Sequence, residues 1–492
     1  MIWLIAALLS STLIGYLVSR AFLPDCKPAW ADLTLKLSLG AGLGVGLTSC
    51  LYFVVRLLAG PSTGIYVATE LLLLIAAGAI AWLNRDGRVT GGNADAKPAG
   101  WFWLLLAGLL AALAIAVPVF LDTSNSNPYG GWDAWAIWNL RAKLLAQPDA
   151  TWKSAFTPVL NQLAGGGATH PEYPLLLSGY VARCWDLMGA IGNVAAPIAI
   201  SALFSLCTVG LIVSALAILR SWSAAMIGGL ILVGAAAFQL ESPWQFADIP
   251  IGFYYLGVFA LLFLSDAEDR ERGRTMVLAG LALGFAAWTK REGMLFALLV
   301  VVAVVSIEWI SRKATRTRTL ALFASGAAVP LAIVMFYRLF LAPATGDFAT
   351  LTLAAAARKF TELPRYAQIF KSLWGEIVAL GSGLAHPLVS LAVLAFCLGI
   401  PRERGRQPLM IASFAVWLAV FIGYVVAYIV TPQELAWHLG TSLGRLLVQL
   451  LPGLIFLSIA IMRTVEETAI AIRRPEKAAR ASGKKARKAR VG

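Results

Sequence analysis

The sequence predicts an all-α polytopic membrane protein of about 13 transmembrane helices, with interfacial helices in one large outer loop. Three observations predict it. The 492 residues are 59% hydrophobic and 13% charged, with mean hydropathy +0.77, whereas soluble domains carry roughly 25% charged residues. Apolar runs long enough to cross ~30 Å of hydrocarbon recur along the whole chain. Lys and Arg concentrate in alternate loops. No soluble domain of any size fits between the runs. The net charge of +14 does not imply a nucleic-acid partner, because ten of the 40 Lys and Arg lie from Arg463 onward. Most of the others sit in short loops, where they orient the chain and attract membrane lipids.

In order, the predicted spans cover 3–22, 33–58, 65–83, 101–121, 195–219, 224–240, 250–264, 276–289, 293–310, 320–341, 376–399, 408–430 and 446–462. The apolar N-terminus lacks a basic leader region and is read as a retained first span. One set of loops carries Arg20/Lys27/Lys36, Arg85/Arg88/Lys97, Arg220, Arg270/Arg272/Arg274, Arg312/Lys313/Arg316/Arg318, Arg402/Arg404/Arg406 and the tail. That asymmetry predicts an N-terminus outside and a C-terminus in the cytoplasm. The segment 174–190 is not counted as a crossing, since Arg183 and Asp186 would each cost roughly 2.5–3.5 kcal/mol at the bilayer centre. It is expected as a re-entrant or interfacial helix. The outer face then carries a long loop, 122–194, and a second, 342–375. The tail 463–492 is basic, of low complexity and expected to be disordered.

The long outer loop holds the densest chemistry. Gly130-Gly131 can turn tightly, and Trp132, Trp135 and Trp138 follow at three-residue spacing. On an α-helix that spacing gathers the rings within about 120°, which predicts a short helix flat on the bilayer with Asp133 at its start. The same topology brings four further polar stretches to this face. They are 241–250 with Asp248, Thr289-Lys290-Arg291-Glu292-Gly293, the loop cations Arg358, Lys359, Arg365 and Lys371, and 434–445 with His438 and Arg445. His170 and Glu172 complete the first.

Carboxylates beside cations on a membrane rim suit work on an anionic, lipid-linked substrate. Lys290, Arg291 and Arg445 can hold a phosphate, Arg through a two-pronged contact, and Asp133 can take a proton from an attacking hydroxyl. Each residue also has a plainer role open to it. Asp133 and Asp248 can be helix caps, and Lys290, Arg291 and Glu292 can be charges snorkelling at a helix end. Arg445 can pair with Glu434, and the two histidines can be hydrogen-bonding partners. The loop cations 358–371 read as a solvated or headgroup-facing surface. Five scattered cysteines without a CxxC pair give neither a disulfide framework nor a zinc site.

Asp133 followed by His170-Pro171-Glu172-Tyr173-Pro174-Leu175-Leu176 resembles the GT-C glycosyltransferases. In particular it is similar to bacterial relatives of the dolichyl-phosphate-mannose protein mannosyltransferases, family 39. Ala247-Asp248-Ile249-Pro250 resembles their second acidic motif, Thr289 to Gly293 their Lys-x-Glu-Gly turn, and 441–452 their C-terminal motif; the likeness covers roughly 125–455. It implies a GT-C-like bundle, 101–462, behind an N-terminal three-span addition, 1–100. It also implies a bacterial inner-membrane enzyme whose site faces the periplasm. The implied reaction moves a sugar from a polyprenyl-phosphate carrier to a glycan, lipid or protein acceptor. Asp133 would be the base, with His170, Glu172, Asp248, Lys290, Arg291, Glu292, His438 and Arg445 binding substrate. Ala134 stands where the family often has a second carboxylate, so neither metal nor cofactor is expected. Two other readings are a ligase or polymerase using a polyprenyl-diphosphate glycan and a flippase for lipid-linked sugar.

Overall fold

The computed structural model describes residues 1–84, 89–90, 100–157, 169–267, 272–311, 316–343, 351–381, 386–401 and 407–470. The chain is a bundle of helices, and a two-residue parallel pairing of Asp25–Cys26 with Val89–Thr90 is the single strand pairing among these residues. Three long helices open it: α1 (Ile2–Phe22), α2 (Ala29–Ala59) and α3 (Thr63–Leu83). Helix α1 lies against α2 at backbone distance, since a Cβ on Gly44 would fall 1.8 Å from the Ser11 carbonyl oxygen; small residues at such a crossing allow tight packing in lipid. Helix α4 (Gly100–Ser126) leads into the outer-loop elements: a π turn (Ala134–Trp138), α5 (Asn139–Leu145), a 3-10 turn (Ala150–Phe156) and α6 (Leu176–Met188).

The second half contains α7 (Ala195–Leu219), α8 (Trp222–Gly234), α9 (Ala236–Glu241), α10 (Asp248–Ala267), α11 (Arg272–Thr289) and α12 (Arg291–Ser311). After them come α13 (Arg316–Phe336), a second π turn (Tyr337–Leu341), α14 (Leu353–Phe360), α15 (Leu363–Ala379), α16 (Pro387–Leu398), α17 (Gln407–Val430) and α18 (Leu435–Ile461). Helix α10 is apolar all round and is the centre of the bundle, buried without a break from Asp248 to Ser265. Helices α7, α11 and α18 pack around it. Helices α1–α3 share one continuous hydrophobic core with α4–α13 and α16–α18.

Among the described residues ten helices are long and apolar enough to cross a membrane, which makes the chain an integral membrane protein. Helices α8 and α9 meet at a 65° bend and together bring the number to as many as eleven. The two expected spans left over are helical but different in kind: α11 is a buried helix that starts on Arg272 and Arg274, and α16 has 12 residues. The segment 174–190 forms α6, whose 13 residues are too short to cross and are mostly buried within the protein. Its charges are paired, Arg183 with Glu70 and Asp186 with Arg56. Of the loop cations, Arg358 is exposed, but Lys359 donates to the Thr431 carbonyl and Arg365 to that of Tyr428. Lys359 and Arg365 therefore fasten α14 and α15 over the α17–α18 turn rather than facing headgroups. At the start of the tail Glu466 accepts from Ser221 and Ser223, and Glu467 pairs with Arg220. The expected disorder of 471–492, and the loop residues 158–168 and 344–350, lie outside the described residues.

Candidate active site

Five stretches far apart in sequence meet at one end of the bundle. The Asp133 stretch enters from α4 through Gly130, whose φ of 74° is a left-handed conformation that glycine adopts without strain. The backbone N–H of Gly131 donates to the Trp244 carbonyl at 3.1 Å. The Gln245 side chain donates to the Pro128 carbonyl at 3.1 Å and accepts from Asn139 at 3.0 Å. These bonds stitch the Asp133 loop to the turn before α10. Gln245 itself has φ 61°, one of two non-glycine residues with positive φ among those described; the other is His170, φ 47°. Both lie at this end of the molecule, as strained backbone often does at working sites.

The flat α-helix expected for 132–138 is instead a π turn. A π turn holds more residues per turn, so each three-residue step falls further short of a full turn; Trp132 and Trp135 stay edge-on at 5.8 Å, and Trp138 turns away from them. Trp132 and Trp135 are 47% and 49% exposed, whereas Trp138 is 2% exposed and packs on Tyr173. Asp133 makes no capping hydrogen bond. Its Oδ2 accepts from Nη1 of Arg445 at 2.5 Å, and the guanidinium stacks 4.7 Å over the Phe246 ring. Arg445 thus reaches across 312 residues of sequence and leaves Glu434 to cap α18 through the N–H groups of Ala436 and Trp437. Glu241, half-buried on α9, interacts electrostatically with Asp133, Asp248 and Arg445.

Beneath this pair lies a sealed one. Asp248, 2% exposed, accepts from Lys290 Nζ at 3.0 Å and from Gln449 Nε2 at 2.5 Å. Lys290 also pairs with Glu292 at 3.0 Å, and Gln449 in turn accepts from Tyr424 at 2.7 Å. Burial pulls the Lys290 ammonium down, but the carboxylates of Asp248 and Glu292 outweigh it and hold its pKa above the ordinary lysine value. Lys290 is therefore an interior ion-pair partner, not a snorkelling charge.

The third group is built on 170–173. Glu172, with its side chain 1% exposed, accepts from Arg291 at 2.9 Å and lies 3.2 Å from His170 Nδ1. Burial raises its pKa, yet the His170 hydrogen bond and the Arg291 charge outweigh that and leave the carboxyl below its ordinary range. Tyr173 packs against both partners of Glu172: His170 stacks on it at 4.4 Å, and the Arg291 guanidinium sits 5.4 Å from its centroid. The stretch is anchored below by fully buried Arg141, which donates to the carbonyls of Ala155 and Pro171 and to the Tyr337 hydroxyl. Tyr337 donates onward to Pro171 at 2.5 Å from the second π turn. Arg338, beside it, lies in the electrostatic field of Arg291 and Glu172.

Eight of the nine expected site residues fall into these three groups. His438 stands apart, seven residues before Arg445 on α18, bonded to Thr431 Oγ1 at 2.8 Å and edge-on to Tyr428. The unanticipated members are Gln449, Phe246, Arg141, Tyr337 and Arg338. Gln449 carried a legible signal, a single amide inside the apolar run 446–452. Arg141 and Tyr337 had none beyond their polarity, because their partners are backbone oxygens.

No protein-family model and no curated protein matches the chain. Among solved structures it is similar to ArnT from Cupriavidus metallidurans. Against the apo crystal structure the identity is 17%, the coverage 73% of this chain and 60% of that one, and the TM-score 0.39. Against the crystal structure bound to undecaprenyl phosphate the identity is 18%, the coverage 74% and 60%, and the TM-score 0.40. The chain thus spans three fifths of the length of those proteins.

Proposed function

We propose that this protein is a GT-C-type glycosyltransferase that moves a sugar from a polyprenyl-phosphate carrier to a hydroxyl acceptor at the outer face of the membrane. One observation carries the reading. Of the acids in the three groups, Asp133 has the most open side chain, 25% exposed and held by one arginine without capping a helix; Glu292, 20% exposed, is tied to Lys290, and Asp248 and Glu172 are closed in at 2% and 1%. An open carboxylate on a rim of arginines is what base-assisted displacement of a phosphate requires.

In the mechanism the acceptor oxygen attacks the anomeric carbon as the bond from that carbon to the carrier phosphate oxygen breaks. The bond pair leaves with the phosphate, Asp133 takes the acceptor proton, and the configuration inverts. Arg291 and Arg445 are the partly open cations, and with Arg338 they supply positive charge where the phosphate develops negative charge. Lys290 acts from beneath, fixing Asp248 and so the start of α10. In the free protein Arg445 occupies Asp133; a phosphate drawing that guanidinium away would leave the carboxylate free for the acceptor proton.

The test is transfer of radiolabelled sugar from defined polyprenyl-phosphate monosaccharides by purified protein, with Asp133→Ala as control. Transfer, or slow donor hydrolysis, that disappears in the variant supports the reading. A folded protein that turns over no such donor refutes it and favours a diphosphate-linked glycan donor or transport of a lipid-linked sugar.

A further inference from the structure

The first three helices hold the outer-loop helices through a row of buried polar contacts. On α6 the attachment points are the Leu176 carbonyl, Tyr180, Arg183 and Asp186, spaced four, three and three residues apart, which is one face of a helix. Ser49 of α2 donates to the Leu176 carbonyl at 2.7 Å, and the hydroxyls of Tyr180 and Ser11 are 2.6 Å apart. The fully buried Arg183 guanidinium donates to Glu70 and Tyr66 of α3 and to Ser10 and the Ala7 carbonyl of α1. Asp186 accepts from Tyr52 and from Arg56 of α2, each at 2.7 Å.

The same α2 residue reaches a second outer-loop helix. Arg56 Nη1 donates to the Gln147 carbonyl at 3.3 Å, just beyond α5, while its Nη2 holds Asp186. At the junction of the π turn and α5, the Trp138 carbonyl accepts from Ser178 of α6 at 2.9 Å. The stretch 133–147 is thus pinned at Trp138 by α6 and at Gln147 by Arg56, and α6 is itself clasped by α1–α3. We infer that Arg56 is a positioning residue for Asp133, and that helices α1–α3 serve to set the Asp133 carboxylate against Arg445. This rests on the glycosyl-transfer reading for its catalytic consequence and on the contacts alone for its structural half.

Removing Arg56 by itself would strand Asp186 as a buried, unpaired charge, so the informative variant is the pair Arg56→Met/Asp186→Leu in full-length protein in lipid nanodiscs. Two readouts follow. Amide hydrogen exchange across 134–147 should rise while that of α10 stays unchanged. With the carrier donor, kcat should fall about 10- to 100-fold, the range a displacement near 1 Å produces, with KM within about threefold because the phosphate-facing arginines sit on other elements. Unchanged exchange across 134–147, or a kcat that falls only in step with the folded fraction, overturns the inference. If the wild-type protein turns over no donor, the glycosyl-transfer reading fails, and the exchange result still decides whether Arg56 holds the Asp133 helix.

Discussion

Replacing Lys290 by methionine tests the interior of the site without reference to any substrate. Asp248 would keep Gln449 as a donor and the more distant charge of Arg445 but lose its directly bonded cation at 3.0 Å, while remaining 2% exposed. Breaking a buried pair from one side typically costs about 3–5 kcal/mol, because the remaining charge has no counterion. Asp248 stands in the first turn of α10, where the helix dipole favours a carboxylate, so about 3 kcal/mol is expected. Asp248→Asn perturbs the same pair from the other side and should cost less, about 1–2 kcal/mol. Lys290 retains Glu292 at 3.0 Å, and an asparagine oxygen can still accept from Gln449. The double change Lys290→Met/Asp248→Leu removes both charges and should be less destabilising than Lys290→Met alone. The assay is thermal unfolding in one detergent at a fixed scan rate, since such proteins often unfold irreversibly. If Lys290→Met is no worse than Asp248→Asn, or if the double variant is no more stable than Lys290→Met, the buried pair does not hold the base of the site as argued.

Asp133→Asn should lower transfer about 100- to 10,000-fold, the usual worth of a positioned base. Its midpoint should stay close to wild type, because the amide still accepts from Arg445 and the pair is part-exposed; wild-type turnover would remove Asp133 from the mechanism. Arg445→Lys should lower transfer by about tenfold or more despite the retained charge, since a lysine cannot both reach Asp133 and lie flat on Phe246, and kcat of the purified variant reads it. Glu172 gives a pH signature. Its folded pKa is depressed, so its stabilisation is present above the ordinary value of 4.5 and fades as pH falls through the lower folded value. The midpoint gap between wild type and Glu172→Gln should accordingly close as pH falls below about 4.5; a gap still widening there contradicts the assignment.

Much of this molecule is written in its one-dimensional pattern. Spans such as 195–219 and 408–430 are apolar beyond any alternative to a buried or lipid-facing helix, and a charged residue next to such a run stands out because burying it alone is costly. That is why Asp133, Asp248, Lys290 and Arg445 were visible as candidates. Their pairing was not visible. Arg445 had an acid eleven residues away in Glu434 and chose one 312 residues away, because Glu434 was already satisfied by the N–H groups of its own helix end. Nor could sequence show that Trp138 turns inward. The three-residue spacing fits an α-helix, and the π geometry is imposed by bonds to Trp244, Gln245 and Ser178. Charges that read as a reason to keep 174–190 out of the membrane core proved to be its attachment to α1–α3. The sequence determined which groups must find partners, since that is a property of each residue's solvation; tertiary structure alone decided which partners, since that depends on distances between helices no local pattern encodes.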